Sequence, residues 1–194
     1  SIKKSISTAS NTQDSLSDAK DWLKKSKAGN NWRETTLAYR TLMYKDDKKY
    51  LSAYSDSLIA AARKTGDDLL IGSALLTKGI INYDLKKHRE ALDYYLLAER
   101  HISKTGNAYA LYKIKYCVAS SKYYLGYFDE AISLFRECVA YFDQENDRGY
   151  LNSLHSLGLC YSRNGDYALC DQTNRIGIAA GEELGNREME PYFI

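Results

Sequence analysis

The feature of this chain that most constrains its fold is a set of small residues that recur at nearly constant spacing. Ala53, Ala91, Ala131 and Cys170 are separated by 38, 40 and 39 residues. Small residues recur at the same intervals seven positions after them and twelve positions before them: Ala60, Ala98, Cys138 and Gly177 after, and Thr41, Gly79, Ala119 and Gly158 before. Such a period is typical of an array of repeated supersecondary units rather than of one compact domain.

Residues that end and cap helices recur at nearly the same period. The segments are KTGD at 64–67, KTGN at 104–107, QEND at 144–147 and LGN at 184–186. Glycine ends helices readily, and Asn or Asp caps the helix that follows. The single proline is Pro191, and β-branched residues never alternate with polar ones over the length of a strand. The chain is therefore predicted to be almost wholly helical.

Each unit is predicted to be a pair of antiparallel helices whose backbones approach each other at the small residues. A tight turn joins the two helices of a pair. The sequence places Gly126 and Gly165 in this turn in the last two units, and Lys48 and Lys86 in the earlier ones. The aromatic Phe135 is predicted to pack between neighbouring pairs.

The pattern resembles the tetratricopeptide repeat (TPR). The fourth unit, LHSLGLCYSRNGDYALC at 154–170, matches best, and the second offers Gly79, Ala91, Tyr95 and Ala98. The chain departs from the family in its period, about 39 rather than 34 residues, and lacks the terminal proline of the motif. The resemblance implies an all-α fold, a right-handed superhelix of stacked antiparallel helix pairs, that is, a TPR-like α-solenoid.

The same pattern divides the chain. Residues 1–17 are rich in Ser and Thr and are predicted to be frayed or disordered. Residues 18–31 are predicted to form a capping helix and turn, and 32–194 the solenoid. Its units are expected at 32–66, 67–106, 107–146 and 147–185, with the start of a fifth at 186–194. Because a solenoid that stops inside a helix leaves an apolar face bare, we expect the natural protein to continue.

Composition and motifs argue against several functions. The 27 basic and 25 acidic residues give a net charge of +2 without a basic block, so direct nucleic-acid binding is not expected. The longest apolar run, 69–81, is interrupted by Lys78 and is too short to span a membrane. Neither phosphate-binding nor hydrolase motifs occur, and His88, His101 and His155 lack ligand spacing. We expect no catalytic residues, no metal and no cofactor.

Three cysteines, Cys138, Cys160 and Cys170, fall at small-residue positions and are interpreted as buried free thiols. A disulfide or a redox role is the alternative. Buried free thiols favour a reducing compartment, so a cytoplasmic location is expected. The alternative is the periplasmic portion of a membrane-anchored regulator.

The TPR resemblance implies that the first helix of each pair lines a concave, solvent-facing groove that binds a protein or peptide. Tyrosine is abundant, 18 of 194 residues, and supplies contact area with a hydroxyl group. The alternative is that these rings only pack between helices. The basic and aromatic groove favours apolar and acidic side chains in its partner, and homodimerisation also remains open. The candidate groove residues are Tyr83, Lys113, Tyr116, Tyr123, Tyr124, Asn152, His155 and Arg163.

Two stretches, LLIGSALLTKGIINY and YLNSLHSLGLCY, are also similar to the TPR sensor region of bacterial AraC-like helix-turn-helix regulators. This resemblance implies a peptide- or partner-sensing region of a transcriptional regulator, with the DNA-binding domain beyond residue 194. A free-standing TPR scaffold and the sensor region of a signalling kinase are the alternatives.

Overall fold

The computed structural model describes residues 2–145, 147–186 and 191–193, and in these ranges it contains nine α-helices and no strand. Successive helices pack against each other in the order of the chain. Two short 3-10 helices, Lys48–Tyr50 and Ser103–Thr105, lie before and after longer ones. The helices are α1 Ile2–Ala28, α2 Trp32–Lys45, α3 Leu51–Thr65, α4 Asp68–Asp84, α5 His88–Ile102, α6 Ala108–Tyr124, α7 Phe128–Glu145, α8 Asp147–Asn164 and α9 Tyr167–Glu183.

The recurring KTGD and KTGN segments separate one helix pair from the next. Gly66 and Gly106 have positive φ angles of 67° and 70°, a conformation that glycine adopts without steric cost. Asp67 then caps α4 by accepting hydrogen bonds from two backbone N–H groups of its first turn, at 2.9 and 3.2 Å. Asn107 caps α6 in the same way, through the N–H of Ala110 at 2.9 Å. These local preferences fix the boundaries between pairs.

The four helix pairs are α2 with α3, α4 with α5, α6 with α7, and α8 with α9. The turn within a pair is tight in the last three. Gly126 and Gly165 are left-handed, with φ angles of 83° and 88°, and Lys86 adopts a φ of 62° in the second pair. The prediction was wrong for Lys48, which begins the 3-10 helix Lys48–Tyr50. The connection from α2 to α3 is wider because Asp47 caps this additional short helix through the N–H of Lys49.

The small residues lie where the helices cross in the second and third pairs, as predicted. Ala91, Ala98, Ala131 and Cys138 are completely buried. A Cβ atom on Gly79 of α4 would lie 2.4 Å from the buried ring of Tyr95 on α5. The close approach of paired helices therefore depends on these positions being small.

In the first pair the predicted register was wrong by two residues. Ala53 and Ala60 are exposed, whereas Ser55 and Ala62 are completely buried. Ser55 precedes Ala91 by 36 residues rather than 38. The physical reason is that α5 is followed by the 3-10 turn Ser103–Thr105 before its glycine, whereas α3 ends directly at its own. Because the turn sequence recurs at a constant period, the sequence pattern did not reveal this difference in helix length.

Helix α1 packs against α2 at the N-terminal end of the array. The sequence predicts a frayed segment over 1–17, but the structure continues α1 back to Ile2. Ser and Thr are only mildly unfavourable in helices, and α1 is anchored by Ala19, with Leu16 and Leu23 beside it in the core. None of the helices in the described ranges combines the length and apolar character that a membrane span requires.

At the C-terminal end, the predicted fifth unit falls partly outside the described residues, since 187–190 and 194 are not among them. The described Phe193 is 3% exposed and packs with Leu151 and Leu154 of α8. It lies against Gly177 of α9, where a Cβ atom would be 2.2 Å from the ring. Phe193 therefore covers part of the apolar face of the last helix pair.

Candidate functional site

The first helices of the second, third and fourth pairs line a channel with two adjoining cavities. The larger, here called the basic cavity, has a volume of about 400 Å³. The smaller, here called the tyrosine cavity, has a volume of about 180 Å³. The basic cavity is lined by Tyr109, Lys113 and Cys117 of α6, Phe142 of α7, and Arg148 and Asn152 of α8. The tyrosine cavity is lined by Tyr83 of α4, Tyr123 and Tyr124 of α6, Phe135 of α7, and His155 and Leu159 of α8.

Tyr116 lies between the two cavities and lines both. Its hydroxyl forms a hydrogen bond of 3.0 Å with the Ser156 hydroxyl, which joins α6 to α8 across the channel. Its ring packs edge-on against Phe135, with 5.4 Å between centroids. Burial raises the pKa of Tyr116, so the phenol stays neutral. The sequence predicted a solvent-facing contact residue, but Tyr116 is partly buried because it is a structural link between two repeats.

An aromatic cluster forms one wall of the tyrosine cavity. The imidazole of His88 stacks on Tyr124, with 4.4 Å between centroids and an interplanar angle of 6°. Tyr83 meets both rings edge-on, at 5.0 Å from His88 and 5.6 Å from Tyr124. Burial lowers the pKa of His88, and nearby Lys86 contributes in the same direction. Tyr124 remains 55% exposed, so this cluster offers a fixed aromatic surface to a ligand.

The basic cavity contains two exposed cations. Lys113 lies on α6 with its ammonium 5.8 Å from the centroid of the Tyr109 ring. Arg148 lies in the first turn of α8, four residues before Asn152 and on the same helix face. Sequence reasoning identified Lys113 and Asn152 but missed Arg148, although its spacing from Asn152 could have indicated it. It also missed Phe142, because that residue comes from the second helix of its pair.

Arg163 and His155 lie at the other end of the predicted set. Arg163 lines neither cavity, but its Nε lies 3.4 Å from the hydroxyl of Tyr123. His155 lines the tyrosine cavity and also contacts the C-terminal residues, donating from Nδ1 to the carbonyl oxygen of Tyr192 at 2.9 Å. The structure thus brings seven of the eight predicted residues to the two cavities and places Arg163 beside them.

The described residues include no group of three His, Cys, Asp or Glu side chains arranged to hold a metal ion. All four cysteines are free thiols. Cys138 and Cys160 are completely buried, and burial raises the pKa of each thiol to about 12. Cys170 is only partly buried, contrary to the sequence prediction, because it lies in the first turn of α9, the last α-helix of the described array. Cys117 lines the basic cavity, and burial raises its pKa to about 11.

Comparisons with known proteins show a partial sequence similarity to a curated protein and a similarity in fold to solved structures. The chain matches no protein-family model. Its sequence is 28% identical over 100 residues to response regulator aspartate phosphatase J of Bacillus subtilis (strain 168). This match covers 52% of the chain and 27% of the relative, so the chain matches about a quarter of the relative's length.

Among solved structures, a Rap protein complexed with competence and sporulation factor superposes with a TM-score of 0.68 at 18% identity, over 88% of this chain and 55% of that one. The Rap conjugation gene regulator of plasmid pLS20, in complex with the Phr* peptide, superposes with a TM-score of 0.63 at 14% identity. This match covers 94% of the present chain and 56% of the regulator. TPR-like repeats of a kinesin light chain from Podosopora anserina superpose with a TM-score of 0.70 at 13% identity. This match covers 95% of the present chain and 93% of the kinesin light chain structure. The chain therefore has the fold of a TPR-like helical solenoid.

Proposed function

We propose that this chain binds a peptide, or an extended segment of a protein, in the channel between α6 and α8. The observation that carries the proposal is the pair of adjoining cavities with exposed tyrosine rings and basic side chains at their edges. Concave sites with aromatic walls and few polar groups are typical of ligand binding. Tyrosine is enriched among residues that dominate interface energies, because a rigid ring buries much area at little entropic cost.

The solved Rap structures support this proposal, since two of them are named as complexes with competence and sporulation factor and with the Phr* peptide. We further propose that the chain is the sensor or interaction region of a bacterial regulator, as the resemblance to the AraC-like sensor region implies. A free-standing TPR scaffold and the sensor region of a signalling kinase are the alternatives. They predict the same groove chemistry but different partners.

The proposed function is non-catalytic. A second candidate, action on a response regulator, is favoured by the name of the sequence relative, a response regulator aspartate phosphatase. The test for this candidate is release of inorganic phosphate from a phosphorylated response regulator in the presence of the chain. A rate no higher than that of the response regulator alone would reject it.

The proposal is tested by selecting peptides from a phage-displayed library of random nine-residue sequences on the immobilised protein. The informative variant is Tyr123→Ala/Tyr124→Ala, which removes two rings of the tyrosine cavity. We avoid Tyr116 because its hydrogen bond to Ser156 joins two repeats and its ring packs on Phe135 inside the third pair. Selected peptides should bind this variant at least about thirtyfold more weakly, since an anchoring aromatic contributes about 2 kcal/mol or more.

The matched control is Tyr167→Ala on α9. Its side chain is 72% exposed and lines neither cavity. This variant should bind the selected peptides as the parent does, and circular dichroism should show that both variants are folded. Peptide binding that survives in the Tyr123→Ala/Tyr124→Ala variant but is lost in the Tyr167→Ala variant would place the binding surface elsewhere. Failure to enrich any peptide would reject peptide binding.

A further inference from the structure

We propose that the basic cavity is a specificity subsite for the carboxylate of an aspartate or glutamate side chain. The tyrosine cavity then receives an apolar side chain about three residues away in the same extended peptide. This inference rests on the proposed function and adds to it the kind of peptide that is bound.

The charges of the basic cavity are complementary to a carboxylate. In the described part of the chain, neither Lys113 nor Arg148 takes part in an ion pair. No carboxylate is among the described residues that line the basic cavity. Asp147, the neighbour of Arg148 in sequence, is exposed and is not part of the lining. A guanidinium and an ammonium on opposite helices of one cavity match a carboxylate, which the guanidinium fork binds through two parallel hydrogen bonds.

The walls of the basic cavity explain why the anion should be carried by a side chain. Tyr109 and Phe142 meet edge-on with 6.2 Å between centroids and provide an apolar surface in the same cavity as the cations. The methylene groups of an aspartate or glutamate side chain can pack on these rings while its carboxylate reaches Lys113 and Arg148. The volume of about 400 Å³ is ample for such a side chain and part of the adjoining backbone.

The spacing between the two subsites follows from the helix that lines both. On α6, Tyr109 and Cys117 of the basic cavity correspond to Tyr116 and Tyr124 of the tyrosine cavity, in each case seven residues later. Seven residues of α-helix span about 10.5 Å, at a rise of 1.5 Å per residue. An extended peptide in the polyproline II conformation has three residues per turn and rises about 3.1 Å per residue, so side chains three residues apart point the same way and lie about 9 Å apart. The hydrogen bond between Tyr116 and Ser156 separates the cavities, so the two side chains enter distinct sites.

The experiment uses the same phage-displayed random library, in which the displayed peptides have no free C-terminus. Sequencing of enriched clones should show Asp or Glu separated by two residues from an aromatic or large aliphatic residue, in one chain direction. The protein variant Lys113→Gln/Arg148→Gln should not enrich acidic residues. The matched control is Arg136→Gln, which removes an exposed cation of α7 that lines neither cavity.

One enriched peptide is then synthesised with both ends capped, together with a version in which its acidic residue is replaced by glutamine or asparagine. We expect the acidic peptide to lose at least tenfold in affinity for Lys113→Gln/Arg148→Gln, measured by fluorescence anisotropy. The neutral peptide should bind parent and variant equally. A third peptide, with no acidic side chain but a free C-terminal carboxylate, should gain nothing from the two cations. If it binds more tightly to the parent than to the variant, the subsite reads a chain terminus and the side-chain assignment is wrong.

The two proposals fail in different ways. Peptides that depend on Tyr123 and Tyr124 but show no acidic preference would leave the proposed function intact and reject the carboxylate subsite. An acidic preference with no fixed distance to an apolar residue would reject the two-subsite spacing. A library that yields no binding peptide would reject peptide binding itself.

Discussion

Replacement of Gly79 by alanine tests the close contact between α4 and α5. The added Cβ would lie 2.4 Å from Cε1 and 2.5 Å from Cδ1 of Tyr95, whose side chain is only 2% exposed. A buried ring cannot turn away freely, so either the ring or the α4 backbone must shift. Forcing extra volume into a packed core costs about 1–3 kcal/mol. The better helix propensity of alanine returns about 1 kcal/mol.

We therefore expect Gly79→Ala to reduce the free energy of unfolding by up to about 2 kcal/mol, measured by urea denaturation followed by circular dichroism. The matched substitution is Gly181→Ala in α9, where the nearest atom, the carbonyl oxygen of Asn186, is 3.4 Å from the added Cβ. This change should leave stability unaltered or raise it by up to about 1 kcal/mol.

A double-mutant cycle identifies the cause. In a Tyr95→Ala background the ring is absent, so Gly79→Ala should no longer destabilise the protein. If Gly79→Ala and Gly181→Ala shift stability equally, or if the penalty at Gly79 persists without the ring, the contact between Gly79 and Tyr95 does not set the distance between α4 and α5.

Three further predictions concern packing, thiol reactivity and pH. Ala131→Leu places a larger side chain at a completely buried position and should lower the free energy of unfolding by about 1–3 kcal/mol. Ala53→Leu, at an exposed position, should change the free energy of unfolding little. Equal effects of the two substitutions in denaturation experiments would contradict the corrected register. Cys160 should react with a thiol reagent at pH 8 only after unfolding, because it is completely buried and burial raises its pKa to about 12; rapid labelling of the native protein would show that it is accessible. The Tyr54 hydroxyl donates a hydrogen bond of 2.6 Å to Asp46 and holds the pKa of that carboxyl below its usual value. The resulting stability is present above the unfolded-state pKa and is lost as pH falls through the lower folded-state pKa. The difference in melting temperature between parent and Tyr54→Phe should therefore be largest at pH 7 and become smaller below about pH 4. A difference that does not change with pH would refute the assigned role of the Tyr54 hydrogen bond.

Much of the candidate site could be predicted from sequence, because groove positions recur at fixed offsets from the caps of each repeat. Lys113, Tyr123 and Tyr124 lie on the expected helix face. The depth of each side chain could not be predicted in the same way. Tyr116 is partly buried because Phe135 of its own pair and Ser156 of the next pair lie against it, and the contact with Ser156 depends on how two repeats are rotated relative to each other. Arg148 was missed although it lies four residues before Asn152 on the same helix face.

The sequence by itself determined the helical pairs and the turns between the first three of them, since these depend on local chemistry. Glycines at positive φ and the cap at Asp67 act on neighbouring residues of the chain. The small residues at Ala91 and Ala131 act within one pair. Only the tertiary structure decided which side chains meet between pairs. Each such contact joins residues about 40 positions apart, and its geometry depends on the length of every intervening helix and turn. The different ends of α3 and α5 show this dependence, because they moved the true register of the first pair away from Ala53.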